Sequence, residues 1–477
     1  MKTPTTRVLA FLIAAVPGAS TLAQERPRLS GLVRYFVSVD APLLALTHAT
    51  VIDGTGTAAV SDQTILIRDG RIQAMGRAGA IEIPESARVI DLSGHTVFPG
   101  FVGMHNHTYY ETQTRTVQLD VSAPRLYLAG GVTTIRTTGS ISPYSEISLK
   151  RAIDLGEVPG PRMFITGPYL TGSQPPLRAM QTLSSVEEAR RTVNYWADEG
   201  ATWLKFYTTV NRANMKAVID EAHRRGLKVT GHLCSVTFRE AVALGIDNLE
   251  HGLYANTDYV RTKAPDACPA ANVEGYDSLD VASASVQQTF RDLVANGVAM
   301  TSTLAVFEQY TPHRPLASQR ALDAMSPEVR AEYLATRNAI DSGPAGPLSE
   351  RLLRRAMEYE RAFVRGGGIL VAGVDPTGIG GALPGFGDQR NFELLIEAGF
   401  APEMAIRILT LNGAKVLGID AQVGSIAPGK DADLVVVRGN PVNTPSDIAN
   451  TVTVFKHGVG YDSAKLIASV RGAVGIR

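Results

Sequence analysis

Cysteine is nearly missing from this chain: its 477 residues include only two, Cys234 and Cys268. No disulfide framework can therefore carry the fold, although these two could pair in an oxidising compartment. Cys234 stands two residues after His232, a place that suits either a metal-site neighbour or a small buried apolar side chain. Net charge is missing as well, because 46 basic residues cancel 46 acidic ones. Without a basic field or an acidic tail, nucleic-acid binding is excluded, and a small uncharged or zwitterionic substrate stays open. No internal repeat or low-complexity tract is present. After the N-terminus no apolar run approaches the ~20 residues that span a bilayer.

What is present starts with an export signal. Lys2 and Arg7 flank an apolar run from Val8 to Val16, and Thr21-Leu22-Ala23 offers a cleavage site before Gln24. Residues 1–23 thus read as a removable signal peptide, giving a periplasmic or secreted protein with no membrane attachment after removal. The hydrophobic content of 44% over 477 residues supplies more core than one average domain needs.

The two ends share one style. Ala49-Thr50-Val51-Ile52-Asp53-Gly54, Thr64 to Ile72 and Arg88 to Gly94 are β-branched runs closed by turn signals; Asp433 to Val437 and Thr451 to Gly458 repeat the pattern. Residues 24–96 and 419–477 are therefore expected to build one small β-sandwich domain from both ends. Residues 97–418 alternate apolar strands with helical patterns. The strands are Val97–Met104, Thr133–Arg136, Met163–Thr166, Thr202–Phe206, Lys228–Gly231, Asn248–Glu250, Ala299–Thr301 and Ile369–Val374. The helical patterns include Ser185–Glu199, Arg212–Arg225, Phe238–Leu244 and Val286–Asn296. This is an α/β chain, and the alternation fits a closed (β/α)8 TIM barrel. An open doubly wound sheet is disfavoured because no Gly-rich phosphate turn follows the first strand. Two long connections, Tyr254 to Leu279 and Thr303 to Glu350, read as pocket walls or a lid.

The chemistry concentrates at predicted strand ends. His105 and His107, spaced i and i+2, leave one side of an extended strand and can close on one metal ion. Lys205 sits between Leu204 and Phe206 in a buried strand, where a lysine is costly unless paired or chemically altered. His232 and His251 end the fifth and sixth strands, and Asp375 ends the eighth before Pro376 and Gly378 break the chain. Each signal alone is weak; six on one rim are not. His48, His95, His223, His313 and His457 lie in turns, helices or the β domain and need only ordinary roles.

With these residues in place the chain resembles the metal-dependent amidohydrolase superfamily over nearly all of its mature length. The resemblance rests on Val97-Phe98-Pro99-Gly100-Phe101-Val102 before the His-x-His, on Gly130 to Arg136, on Asn248-Leu249-Glu250-His251-Gly252 and on Gly424 to Leu434. A lysine on the fourth strand makes it most similar to the imidazolonepropionase-like and Xaa-Pro dipeptidase-like branch. The resemblance implies that His105, His107 and Asp375 bind the more buried of two divalent metals. It also implies that Lys205, carbamylated by carbon dioxide to an N6-carboxylated lysine, bridges both, and that His232 and His251 bind the second. Imidazoles suit zinc, with manganese and iron as alternatives. The implied reaction is attack by metal-activated hydroxide, with Asp375 as the acid–base group.

Tyr207, Tyr254 and Arg390, the last in the loop after the eighth strand, are the candidate substrate contacts. Thr138 stands where many relatives have an acidic residue, and Gly172-Ser173-Gln174 replaces a common Gly-Gly-His, so the pocket departs from the family where the metal ligands do not. The expected function is an exported binuclear hydrolase that cleaves an amide or peptide-type C–N bond in a dipeptide or N-acyl amino acid. The alternatives are a cyclic amide, lactone or phosphoester hydrolase on the same centre, or a non-catalytic binding protein on a degenerate barrel. The expected partner is a small-molecule substrate, and a homo-oligomer stays open.

Overall fold

The computed structural model describes residues 27–173, 175, 178–270, 273–343 and 348–476. The expected signal over residues 1–23 lies outside the described residues, as does Gln174. Eight parallel segments occupy the centre: β1 (Phe101–Asn106), β2 (Val132–Thr137), β3 (Arg162–Phe164 and Thr166–Thr171), β4 (Trp203–Phe206), β5 (Lys228–Gly231), β6 (Asn248–Glu250), β7 (Ala299–Ser302) and β8 (Leu370–Ala372). Their spatial order follows the chain. One ladder joins β1, β2 and the first half of β3, and a second runs from the other half of β3 to β8. Beyond β8, the Asp375 N–H donates to His105 O at 2.9 Å. One continuous closed ladder is not present among the described residues.

Every residue of β1, β2 and β4 is buried, as parallel strands covered on both faces require. The helices Val186–Asp198, Arg212–Arg224, Phe238–Leu244 and Ala284–Ala295 fall close to their expected positions. Their starts are set locally. Ser185 and Asn211 accept from the backbone of Glu188 and Asn214, and Thr237 with Glu240 forms a capping box. The long connection after β7 holds the helices Leu304–Gln309, Gln319–Ala324 and Pro327–Ser342.

The two chain ends do meet, in one nine-stranded sheet. Leu434–Arg438 pairs antiparallel with His95–Pro99, which in turn lies beside Leu43–Val51. Leu44, Leu46, Ile65, Val97, Leu434 and Val436 form its core. The strand expected over Val97–Met104 divides at Gly100: residues up to Pro99 belong to this sheet and those from Phe101 to β1. A Cβ at Gly100 would stand 2.2 Å from Thr133 Oγ1, so only glycine lets the chain pass this close to β2. No helix of the described residues is long and apolar enough to cross a membrane.

Cys234 and Cys268 form a disulfide with Cα atoms 4.9 Å apart, which answers the pairing question left open by the sequence. The bridge ties the connection after His251 to the end of β5 across a separation of 34 residues. The double change Cys234→Ala with Cys268→Ala is expected to cost roughly 3–4 kcal/mol through the freed chain entropy of the unfolded state. Denaturant unfolding with and without reductant checks this: reductant should lower the midpoint of the wild type and leave that of the variant unmoved.

Candidate metal centre

His105 ends β1 with its ring nearly sealed from solvent, at 1% exposure. Its Nδ1 lies 2.8 Å from Glu250 Oε2. Glu250 is the hub of a buried network, accepting also from Arg136 Nη2, Thr230 Oγ1 and Asn248 Nδ2. Burial alone would raise the Glu250 carboxyl, but Arg136 and His105 outweigh it and hold it well below the ordinary carboxylate range. An anion there makes His105 Nδ1 the protonated nitrogen and leaves the Nε2 lone pair facing the strand ends. His107 is oriented in the same way, with Nδ1 3.1 Å from Gly139 O.

His251 Nδ1 lies 2.8 Å from Thr303 Oγ1. The His251 ring centroid is 4.5 Å from that of His105 and 4.3 Å from that of His232. Lys205 Nζ reaches to 3.2 Å from His105 Nε2. Asp375 closes the group, its carboxylate oxygens 3.6 Å from His105 Nε2 and 3.5 Å from His107 Nε2, and Thr377 Oγ1 donates to it at 2.9 Å. All six residues that the sequence placed on one rim converge here.

The donor set fits a cation. Nitrogen and oxygen atoms of His105, His107 and Asp375 lie within 4.8 Å of one another in a buried cluster. Separations of 3.5–3.6 Å are long for hydrogen bonds. They match two ligands each about 2.1 Å from one ion at a tetrahedral angle, which stand roughly 3.4 Å apart. Protonation agrees. Burial lowers the imidazoles of His107 and His232 to about 4 and about 3 and that of His251 well below its usual range. Burial alone would raise the Asp375 carboxyl, but His105, His107 and His251 outweigh it and hold it well below its own. Neutral imidazoles beside an ionised carboxylate are the forms that bind metal. Burial also brings the Lys205 ammonium down to about 8, so a reactive free amine is within reach near neutral pH.

His251 and Asp375 both adopt left-handed backbone, with φ of 67° and 47°. Such conformations cost of order 1–3 kcal/mol each outside glycine and cluster at functional sites. Here they turn two side chains into the mouth at the strand ends.

Of the expected substrate contacts, Tyr207 does line the mouth, its ring centroid 5.0 Å from that of His232 and 5.5 Å from that of Tyr169. Tyr254 stacks on Phe307 at 3.7 Å, and its buried hydroxyl has no partner among the described residues. Arg390 does not fit the expectation of a loop cation aimed at a substrate carboxylate. Asp388 accepts from Gly385 N–H and starts the helix Phe386–Glu397, so Arg390 sits on a helix face, where Glu308 holds its guanidinium at 2.8 and 2.9 Å and Glu393 pairs with it. Sequence reasoning missed Glu250, whose role depends on partners distant in the chain, and Glu111, which burial and the nearby Asp375 charge push up to about 7.

A sequence model of the amidohydrolase family matches residues 96–459. The chain is 23% identical over 419 residues to a dihydroorotase from Pelotomaculum thermopropionicum, covering 83% of this chain and 88% of that enzyme. It is 25% identical over 395 residues to an imidazolonepropionase from Porphyromonas gingivalis, covering 78% and 82%. Its fold is similar to the crystal structure of a Xaa-Pro dipeptidase with bound methionine, at a TM-score of 0.65 and 21% identity, over 88% of this chain and 100% of that one.

Proposed function

The chain belongs to the amidohydrolase family and is a metal-dependent hydrolase of amide-type C–N bonds; we propose that it is an exported, binuclear member acting on a dipeptide or N-acyl amino acid. The observation that carries this reading is the meeting of His105, His107, Lys205, His232, His251 and Asp375 at the ends of β1, β4, β5, β6 and β8. We read the eight parallel strands as a complete (β/α)8 barrel whose mouth is this site. The disulfide supports export, because such bonds persist in oxidising compartments.

His105, His107 and Asp375 would hold one divalent ion, His232 and His251 a second, and a carbamylated Lys205 would serve both. Bound ions would supply the positive charge that acidifies water and polarises the scissile carbonyl. The chain's own groups do the rest. Glu250 keeps the proton of His105 on Nδ1. The Asp375 carboxylate takes a proton from the attacking water and returns it to the leaving nitrogen. The Tyr207 phenol faces the substrate from the wall of the mouth.

The test is a panel of dipeptides, N-acyl amino acids, cyclic amides and aryl esters, each with and without chelator. Turnover of linear amides that chelator abolishes and zinc restores is the expected result. Chelator-insensitive inertness across the panel would overturn the reading in favour of a binding protein, and turnover confined to cyclic amides would move the substrate class.

A further inference from the structure

The strand Tyr109–Glu111 begins two residues after His107 and pairs antiparallel with Thr116–Gln118. Side chains alternate along a strand, so Tyr109 and Glu111 share one face. That face looks at the metal centre, since the Tyr109 ring centroid is 4.6 Å from that of His107 and its hydroxyl bonds to Tyr169. The strand is held firmly in place. Glu111 N–H donates to Pro376 O at 3.2 Å, and Tyr110 OH donates to Gly380 O at 2.6 Å. Glu111 thus stands beside the loop that presents Asp375.

Its half-buried carboxylate has no hydrogen-bond partner and no ion pair among the described residues. Arg115, four residues along the chain, pairs instead with Glu332 at 3.6 Å. The phenols of Tyr109, Tyr207 and Tyr310 stand close enough to Glu111 that a negative charge there would push each of them up. Aromatic rings near a carboxylate add to its attraction for a cation when their faces are presented to it. Because the carboxylate is only half-buried and holds no partner among the described residues, a ligand arriving from the mouth displaces only water to reach it.

We infer that Glu111 anchors a positively charged group of the substrate, so that the preferred amides carry an ammonium. This rests on the amide-hydrolase reading above, and it narrows the substrate class from the neutral and anionic members that reading allows. The anchor gives the mouth a direction: the scissile carbonyl goes to the histidines and the cation to the rim formed by Glu111 and the tyrosines.

The experiment compares the zinc-loaded wild type with Glu111→Gln on two p-nitroanilides, of β-alanine and of butanoic acid, which differ only by an ammonium in place of a methyl group. The wild type is expected to prefer the β-alanyl anilide by about tenfold or more in kcat/KM, the size of a charge-assisted hydrogen bond. In Glu111→Gln that ratio should collapse to about one. Because the readout is a ratio within one protein, partial loss of folded enzyme does not alter it. Equal rates in the wild type, or a preference that survives the substitution, overturns the inference. Calorimetric titration of both proteins with β-alaninamide and butanamide reads the anchor without turnover. Tighter binding of the cation by the wild type alone upholds it even if neither anilide is cleaved, in which case only the amide reading fails. Equal binding by the two proteins sinks it.

Discussion

Asp375→Asn is expected to lower kcat by about 10²–10⁴-fold, the typical worth of a positioned acid–base group. The substitution is a clean probe. Asp375 has φ 47°, and asparagine tolerates the left-handed region at least as well as aspartate does, so the backbone need not move. The Asn side chain keeps one oxygen toward His105 and His107 but cannot take a proton from the attacking water. The unfolding midpoint should stay close to that of the wild type while turnover falls. Measuring kcat at matched metal content, on the best substrate of the panel, separates loss of chemistry from loss of metal. A kcat near that of the wild type would show that another group carries the proton.

The second large effect falls on stability. Glu250 and Arg136 are both fully buried, and their ion pair is 2.5 Å long. Taking one partner away leaves the other charge in a dry core, so Glu250→Gln should destabilise by about 3–5 kcal/mol. It should also weaken metal binding about 10–100-fold, because the carboxylate that fixes the His105 tautomer is lost. Replacing both residues by Met removes the uncompensated charge. Much of the stability should return in that double variant, while the metal affinity does not. Denaturant unfolding read beside a metal titration distinguishes the two roles. A stability change below about 1 kcal/mol for Glu250→Gln would mean that water or another group already satisfies Arg136.

The rim of six residues was legible in the sequence only as a set, because each member alone is a weak signal. A single histidine at a strand end serves as readily as a structural hydrogen-bonder, but six such residues in register with a strand–helix alternation point to one mouth. The helices were legible from local patterns, which caps such as Ser185 and the Thr237–Glu240 box reinforce in the structure. Glu250 was not legible as a hub: His105 and Arg136 stand 145 and 114 residues away in sequence, and no local pattern brings them together. Arg390 misled for the opposite reason, because the glycine-rich stretch before it reads as an open loop, while Asp388 quietly starts a helix there. Glu111 had a signal that could have been used. His105, His107, Tyr109 and Glu111 recur at every second position. Although the first strand ends at Asn106, Tyr109 and Glu111 resume the alternation in a short hairpin beside the same mouth.

Metal content tests the proposed two-ion centre most directly. Elemental analysis of protein purified without chelator and with bicarbonate present should find close to two divalent ions per chain, dropping toward one in Lys205→Ala. About one ion per chain, unaffected by that substitution, would contradict the shared lysine ligand and leave Lys205 with a structural role.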